Sequence, residues 1–394
     1  MNSRERVALA MQHRVPDRVP VMCQLAIGHY FLNLRDRWRP HEIWFTSEAF
    51  ADALLALRAR YRFDGLLINI PGRDPDWRRY VTRIEDAPGG EVVHWADGGR
   101  TFIPPDDNAQ YEPPPGQAAR PDFFSFDPET DFDRVDAWPG YTWGVYHTPH
   151  LPGKAPGLLL QPPDYFLRTI DLVQAAGGDF SIHGEVFSPF THFLELFGYQ
   201  ESMLALAMDE GRAAAALDRL ADAAAAWGRA QAARGVDAVL ISSAFAGGGF
   251  ISPAMYARFV VPYERKVVDA LHAEFPGLPV YTHTCGRLGD RLELLVESHT
   301  DGVDTLDPPP LGDTELADAK ARIGRQLFIK GNMNSVALLT DTEAQVIERA
   351  RQALAAGMPG GGYILSTACS VAPRVEPWKL ERLVEVAEAH GQYE

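Results

Sequence analysis

The stretch that decides the fold of this chain reads Pro279-Val280-Tyr281-Thr282-His283-Thr284-Cys285-Gly286. It begins as a short apolar run, 279–282, of the kind that forms a buried parallel strand. A histidine and a cysteine follow directly, at His283 and Cys285. Imidazole and thiolate groups are ligands that zinc prefers. The stretch therefore predicts a buried strand that ends in metal-binding side chains.

A second thiolate, at Cys369, completes the candidate ligand set. A structural zinc finger brings four ligands in two close pairs, whereas the two cysteines here are 84 residues apart (369 − 285). Three protein ligands leave one coordination position open for chemistry. The competing interpretation is chance, because a single cysteine is usually a small buried hydrophobe. The position of these residues in the fold decides between the two.

Apolar runs alternate with amphipathic stretches along most of the chain. Five such runs lie at 238–242, 279–282, 302–306, 326–331 and 362–366. Three more strands are predicted at 19–24, 65–70 and 179–183, with 158–161 as a rival for the third. Helices are predicted at 47–61, 213–226, 254–274, 342–356 and from Pro377 onward. Eight such units, with no Gly-x-Gly-x-x-Gly after the first strand, predict an α/β protein that forms a closed (β/α)8 TIM barrel.

One segment interrupts this alternation. Residues 71–150 are rich in Pro, Asp and aromatic residues, and a hairpin is predicted at 91–103 with its turn at Asp97-Gly98-Gly99. A segment of this length within a compact domain is usually a lid or a binding element. The sequence therefore predicts a single domain, 1–394, in which 71–150 is inserted as a lid over the barrel mouth.

Polar and metal-binding side chains lie at the predicted strand ends. They are His183 and Glu185 after the third strand, His283 and Cys285 after the fifth, Asp307 after the sixth, Asn332 after the seventh and Cys369 after the eighth. Side chains just after the strands of such a barrel gather at one face, where active sites form. We therefore predict a zinc site made by His283, Cys285 and Cys369.

The other strand-end residues have more than one interpretation. Asp307 is a fourth, displaceable zinc ligand, a carboxylate that orients His283, or a loop residue. Glu185 either holds the substrate or caps the next helix, and His183 is either catalytic or a satisfied polar residue. The predicted catalytic residues are thus Glu185, His183, Asp307 and Asn332.

Composition excludes several classes of protein. Lys and Arg total 37 against 53 for Asp and Glu, and the resulting charge of −16 repels a phosphate backbone, so nucleic acid is not expected as a partner. Three cysteines form no even disulfide framework, and Cys23 is expected in the core. The chain shows no signal-like start and no apolar run of membrane-spanning length. A cytoplasmic protein without membrane contact is therefore expected.

Several motifs together resemble the uroporphyrinogen decarboxylase superfamily, and within it the zinc methyltransferases that work with corrinoid proteins. They are Arg4-Glu5-Arg6, Pro16-Asp17-Arg18-Val19-Pro20, Gly235-Val236-Asp237, Ile251-Ser252-Pro253 through Val261-Pro262-Tyr263, His283-Thr284-Cys285-Gly286, Gly331-Asn332, and the Cys369 loop ending Ala372-Pro373. The resemblance implies a zinc ion and a corrinoid carried by a separate protein. The spacing is also similar to that of cobalamin-independent methionine synthases, whose acidic zinc ligand lies between the cysteines, where this chain has Asp307.

One departure from the superfamily bears on the substrate. True uroporphyrinogen decarboxylases carry an arginine-rich loop after the first strand, whereas residues 22–29 read Met-Cys-Gln-Leu-Ala-Ile-Gly-His here. A tetrapyrrole with many carboxylates requires charge-assisted partners. Uroporphyrinogen decarboxylation is therefore not expected.

The function that the resemblance implies is methyl transfer between a small substrate and the cobalt of a partner corrinoid protein. Aromatic residues favour a methoxylated aromatic donor, unless they merely anchor the lid. They are Trp77, Trp95, Phe123, Phe124, Phe126, Trp138, Tyr141, Trp143, Tyr146, Tyr165 and Phe166. One alternative is the opposite direction, from methylcorrinoid to a thiol. Another is a zinc-stabilised binding protein without turnover. The sequence does not determine the oligomeric state, and a homodimer is one possibility.

Overall fold

A seven-stranded parallel sheet forms the centre of the protein in the computed structural model, which describes residues 1–70, 72–117, 120–135 and 160–393. Within these ranges its strands are β1 (Gly65–Ile68), β6 (Ser181–Phe187), β7 (Ala238–Ser242), β8 (Val280–Thr284), β9 (Gly302–Thr305), β10 (Phe328–Met333) and β11 (Tyr363–Thr367). They are hydrogen-bonded in this order, and every pair is parallel. The sheet curls into a TIM-barrel-like fold, as predicted.

The predicted first strand is present only as an extended segment, and this part of the prediction is wrong. Val21 forms a parallel bridge with Leu365, and Leu25 forms another with Val371. On the other side, the N–H of Asp64 donates to the carbonyl of Val21 over 2.8 Å. The segment thus lies between β11 and β1 and closes the ring. The ladder is interrupted here, because the N–H of Val21 donates to the carboxylate of Asp64 over 2.8 Å and not to a neighbouring backbone carbonyl.

Helices surround the sheet. The described ones are α1 (Ser3–Met11), α2 (Ile27–Asn33), α3 (Pro40–Phe45), α4 (Ser47–Tyr61), α5 (Arg168–Ala175), α6 (Pro189–Phe197), α7 (Tyr199–Met208), α8 (Glu210–Ala233), α9 (Pro253–Phe259), α10 (Val261–Glu274), α11 (Leu292–Glu297), α12 (Leu316–Arg322), α13 (Ala337–Thr340), α14 (Glu343–Gly357) and α15 (Pro377–His390). The helix predicted at 254–274 is two helices, because Pro262 has no N–H to bond to the carbonyl of Arg258, and it instead lies in the first turn of α10. No helix in the described ranges is both long and apolar enough to cross a membrane.

The first helix closes the end of the barrel where the strands begin. Asn2 caps α1, and its reciprocal bond with Glu5 completes a capping box. Three apolar residues of α1 enter a buried cluster inside the barrel. The cluster comprises Val7, Ala10, Met11, Met22, Leu67, Ala238, Leu240, Tyr281, Phe328 and Ile364. The interior is therefore a packed core at this end, and a site can form only at the opposite end.

The inserted segment contains a four-stranded antiparallel sheet. Its strands are β2 (Val81–Ala87), β3 (Gly90–Trp95), β4 (Arg100–Ile103) and β5 (Gln110–Glu112). The predicted hairpin is confirmed: β3 pairs with β4, and Asp97 accepts a bond from the N–H of Gly99 in the turn. Residues 136–150, and half of the rival strand at 158–161, lie outside the described residues.

Aromatic side chains of the insertion attach it to the barrel. Trp77 stacks on Phe45 with ring centroids 5.0 Å apart. The ring of Phe123 packs edge-on against Phe193 and Phe197 of α6. Among the other predicted aromatics, Trp95, Phe126 and Phe166 are also buried, while Trp138, Tyr141, Trp143 and Tyr146 belong to the undescribed residues. The buried rings therefore act mainly as anchors.

A fully buried carboxylate, Asp64, joins the elements that close the barrel. Its oxygens accept bonds from the guanidinium groups of Arg6, at 2.7 Å, and Arg18, at 2.8 Å. They also accept from the hydroxyl of Ser3 and the N–H of Val21, each at 2.8 Å. This single side chain therefore holds α1 and the 18–25 segment against the start of β1.

We expect Asp64→Ala to lower the free energy of unfolding by about 3 kcal/mol, because it removes the buried carboxylate that pairs with two mostly buried guanidinium groups, of which Arg6 keeps only Asp17 as an ionic partner. The matched control is Glu388→Ala, whose partner Arg62 is exposed and whose loss should change stability by less than about 1 kcal/mol. Urea unfolding measures both. Equal effects of the two substitutions would show that Asp64 does not hold the closure.

Candidate metal centre

Three metal-binding side chains meet at the end of the barrel where the strands finish. His283 is the penultimate residue of β8, Cys285 directly follows that strand, and Cys369 follows β11. The Nε2 atom of His283 lies 3.2 Å from the Sγ atom of Cys285 and 4.0 Å from that of Cys369. The two Sγ atoms are 3.5 Å apart. The ring closure thus brings together residues that are far apart in sequence.

The spacing of the three donor atoms fits a zinc ion. With Zn–S near 2.3 Å and Zn–N near 2.0 Å, a tetrahedral ion separates its ligand atoms by about 3.5–3.8 Å. The observed separations of 3.2, 3.5 and 4.0 Å bracket this range. Two sulfurs and an imidazole nitrogen also favour zinc over magnesium or calcium. The residues present therefore suit a zinc ion with one coordination position left over.

A buried carboxylate orients the histidine. Asp304 of β9 places Oδ2 3.1 Å from Nδ1 of His283, which directs Nε2 towards the cysteines. The ammonium of Lys330 donates to the other oxygen, Oδ1, over 2.8 Å. Burial raises the pKa of Asp304, but the charge of Lys330 and the bond to His283 outweigh it, so the net pKa is lowered. Sequence reasoning gave this orienting role to Asp307 as one option; in the structure Asp304 is in position for it, together with the hydroxyl of Thr305, which lies 2.9 Å from the same Nδ1 atom.

Electrostatics at the three donors favour a cation. Burial alone lowers the pKa of His283, but Asp304 and the Cys369 thiolate outweigh it and raise the pKa to about 10. Hydrogen bonds from Cys285 and His283 lower the pKa of Cys369 well below its usual value. A positive charge on the imidazole thus balances a thiolate. A zinc ion would take the place of that positive charge and release the proton.

The loop that carries Cys285 is held from two sides. The N–H of Gly286 donates to Asp307 over 2.7 Å, and burial raises the pKa of this carboxyl to about 6. On the other side Gly247 approaches closely, since a Cβ there would lie 2.1 Å from the carbonyl oxygen of Cys285. Asp307 is not among the three donors that converge. Its role as a fourth ligand stays a prediction.

His183 and Glu185 lie inside β6, not after it, because that strand runs to Phe187. The ring nitrogens of His183 lie 3.0 Å from the hydroxyl of Ser181 and 2.8 Å from that of Tyr281. Burial lowers the pKa of His183 to about 3, so it is neutral. This geometry favours the interpretation of His183 as a satisfied core residue. Glu185 is buried too, and neither residue lines the cavity beside the cysteines.

Asn332 also lies within its strand, β10, instead of after it. Its amide donates to the carbonyl of Leu306 over 2.9 Å and to that of Thr314 over 3.2 Å. These bonds hold the loop that contains Asp307. Asn332 therefore supports the site through the backbone of that loop.

A cavity of about 420 Å³ opens beside the three donors. Its described lining is Gln24, Leu25, Ala26, Ile27, Gly28, Trp44, Asn69, Ile70, Asp106, Asp107, Asn108, His283, Cys285, Cys369, Ser370 and Pro373. The inserted segment contributes 106–108, which lies so close to α2 that a Cβ at Gly28 would be 2.4 Å from the Asp106 backbone. Sequence reasoning missed Trp44, Asn69 and the 106–108 loop, because no local motif marks them.

The fold and the metal centre define a barrel protein with a His/Cys/Cys site at its mouth. The chain belongs to the uroporphyrinogen decarboxylase (URO-D) family, whose model matches residues 156–390. The uroporphyrinogen decarboxylase of Shewanella loihica is 32% identical over 182 residues, 45% of this chain and 48% of that protein. That of Legionella pneumophila strain Corby is 31% identical over 180 residues, again 45% and 48%. The chain thus spans about half the length of the curated relatives it matches.

One solved structure covers the whole chain. A methyltransferase from Methanosarcina mazei superposes with a TM-score of 0.71 over 99% of both chains, at 16% identity. At this identity the likeness establishes the fold alone. It supports the TIM-barrel-like fold.

The metal content of the purified protein is the first test of this site. We expect about one zinc per chain, and a loss of most of it in Cys285→Ser and in Cys369→Ser, because each removes a thiolate ligand. Cys23→Ser is the matched control, since Cys23 is buried outside the cluster. Elemental analysis after dialysis measures the content. Full zinc in either ligand variant would contradict the assignment.

The orienting role of Asp304 gives a second prediction. Asp304→Asn should weaken zinc binding by about 10- to 100-fold, because the histidine loses its fixing carboxylate. Competition with a chromogenic chelator measures the affinity, and circular dichroism checks the fold. Asp307→Asn serves as the comparison: it should change affinity less if Asp307 only holds the Gly286 loop. A larger loss in Asp307→Asn would make Asp307 the ligand and reverse the assignment.

Proposed function

We propose that this protein is a zinc-dependent methyltransferase that moves a methyl group from a small methylated substrate to the cobalt of a corrinoid carried by a partner protein. The observation that carries the proposal is the convergence of His283, Cys285 and Cys369 beside an open cavity. Three protein ligands leave one position for the substrate. A purely structural zinc site would instead be closed by a fourth protein ligand.

Each part of the site has a task in this reaction. The two thiolates and Nε2 of His283 would hold the ion, and Asp304 with Lys330 fixes the imidazole. Lewis acidity at the heteroatom that leaves the methyl group is the chemistry that a bound Zn²⁺ supplies. The cavity walls hold the methyl donor and exclude water from it. The reduced cobalt of the partner would supply the nucleophile for the methyl carbon, and the electron pair of the broken bond would remain on the heteroatom.

A methoxylated aromatic ring is the donor that we favour. The cavity volume of about 420 Å³ accommodates one substituted ring, and the side chain of Trp44 forms part of the wall. The insertion gives less support than the sequence suggested, because Trp77, Phe123 and Phe126 pack into the barrel surface. The reverse reaction, from methylcorrinoid to a thiol, would use the same zinc ligands. An activity assay in each direction distinguishes the two reactions.

Decarboxylation of uroporphyrinogen is not proposed, although the relatives carry that name. Residues 24–28 form one wall of the cavity, and they contain no arginine. None of the described lining residues is Arg or Lys. A substrate with many carboxylates would lose its hydration there without a cation in return.

The assay combines zinc-loaded protein, reduced cobalamin or candidate corrinoid proteins, and a panel of methyl donors without oxygen. We expect the absorbance of cob(I)alamin to convert to that of methylcobalamin. Cys369→Ser should slow this by at least about 100-fold, because the metal is lost, while the control Cys23→Ser retains activity. Full activity of Cys369→Ser, or catalytic formation of coproporphyrinogen from uroporphyrinogen, would contradict the proposal.

A further inference from the structure

The cavity beside the metal centre has an unusual charge pattern. Its described polar lining, apart from the three metal-binding residues, consists of Gln24, Asn69, Asp106, Asp107, Asn108 and Ser370. Two of these side chains are carboxylates, and none in the described lining is a lysine or an arginine. An anion that enters such a cavity loses water and gains no cationic partner.

Two cations close to the described lining, Arg374 and Lys330, are held in ion pairs. Arg374 donates from Nε to Oδ2 of Asp106 over 2.7 Å, and its side chain is 74% exposed. Lys330 lies in the barrel interior, 1% exposed, and is paired with Asp304. Using either of them for an anionic ligand would break an ion pair that the structure contains.

The floor of the cavity adds no net positive charge. A zinc ion carries two positive charges, and the thiolates of Cys285 and Cys369 carry two negative ones, so the loaded cluster with neutral His283 is formally uncharged. Such a centre polarises a heteroatom at short range. It does not attract a distant carboxylate.

Two residues of the lining also carry uncharged polar atoms that are buried behind the cavity surface. Oε1 of Gln24 is an acceptor, and Nε1–H of Trp44 is a donor. Both side chains are buried, 6% and 2% exposed, and neither atom has a hydrogen-bond partner among the described residues. Buried polar atoms are normally satisfied, so each of them calls for a ligand atom or a water.

We propose that the site selects small methylated molecules without a negative charge, that is, neutral or cationic ones, and rejects carboxylated analogues. The assignment of the ligand as a methyl donor rests on the proposed function. The charge selectivity itself rests on the lining residues, and so it can be tested by binding alone.

The test is calorimetric titration of zinc-loaded protein with guaiacol and with vanillate, which is the same ring with one added carboxylate. No corrinoid is needed. We expect guaiacol to bind at least about 10-fold more tightly than vanillate, because the carboxylate is desolvated without a partner. Equal or tighter binding of vanillate overturns the inference, and so does the failure of guaiacol to bind at millimolar concentration.

A pair of charge variants tests the cause. Asp107→Lys places a cation at the rim and should tighten vanillate binding about fivefold, while guaiacol changes less than about twofold. Glu348→Lys changes the net charge equally on α14, outside the lining, and should alter neither affinity. Tightening by both variants, or by neither, overturns the role of the rim charge.

The two proposals fail in different ways. Selective binding of guaiacol without any methylation of cobalamin contradicts the methyltransferase function and leaves the charge selectivity standing. Efficient demethylation of vanillate supports the methyltransferase function and overturns the charge selectivity.

Discussion

The structure depends on the closure of the barrel by the carboxylate of Asp64. Seven strands alone would leave an open sheet, with β1 and β11 at opposite edges. The 18–25 segment joins those edges through isolated bridges, and Asp64 secures it with two guanidinium groups and a backbone N–H. Without this closure, Gln24 and Leu25 would not face Cys369, and the cavity would have one wall fewer. A buried charge network far from the metal centre thus determines whether the centre has a binding site beside it.

The parallel register then builds the metal centre. His283 is paired with Asp304 on the neighbouring strand, and Asp304 is paired with Lys330 on the next. Residues in register on adjacent parallel strands point to the same face, so the imidazole, carboxylate and ammonium meet inside the barrel. The hydrogen bonds between them follow from strand pairing alone. The orientation of the histidine is therefore a property of the sheet, and no loop conformation is needed to produce it.

The sequence predicted the barrel and the ligand triad because both have local signals: apolar runs of strand length, and His-x-Cys or Cys directly after them. It did not identify Asp304, which lies within the apolar run 302–306, since its partner is known only once the register is known. The predicted strands also ended a few residues too early. His183 and Asn332 were therefore predicted to lie after their strands, at the mouth of the barrel, whereas in the structure they lie within them. The aromatic residues of the lid carry no local signal that separates anchors from cavity walls, and most of the described ones are anchors.

The packed floor of the barrel has a consequence for traffic through the site. The interior at the end where the strands begin is filled by Val7, Ala10 and Met11 of α1. The described part of the barrel is therefore closed at that end and open only at the other. Both the methyl donor and the corrinoid of the proposed reaction must then use the same rim. The partner protein is larger than the methyl donor and would cover the cavity when it docks. The donor would therefore have to enter first. For the proposed reaction, the packing of the first helix therefore predicts a compulsory order of binding, in which excess partner protein inhibits the enzyme.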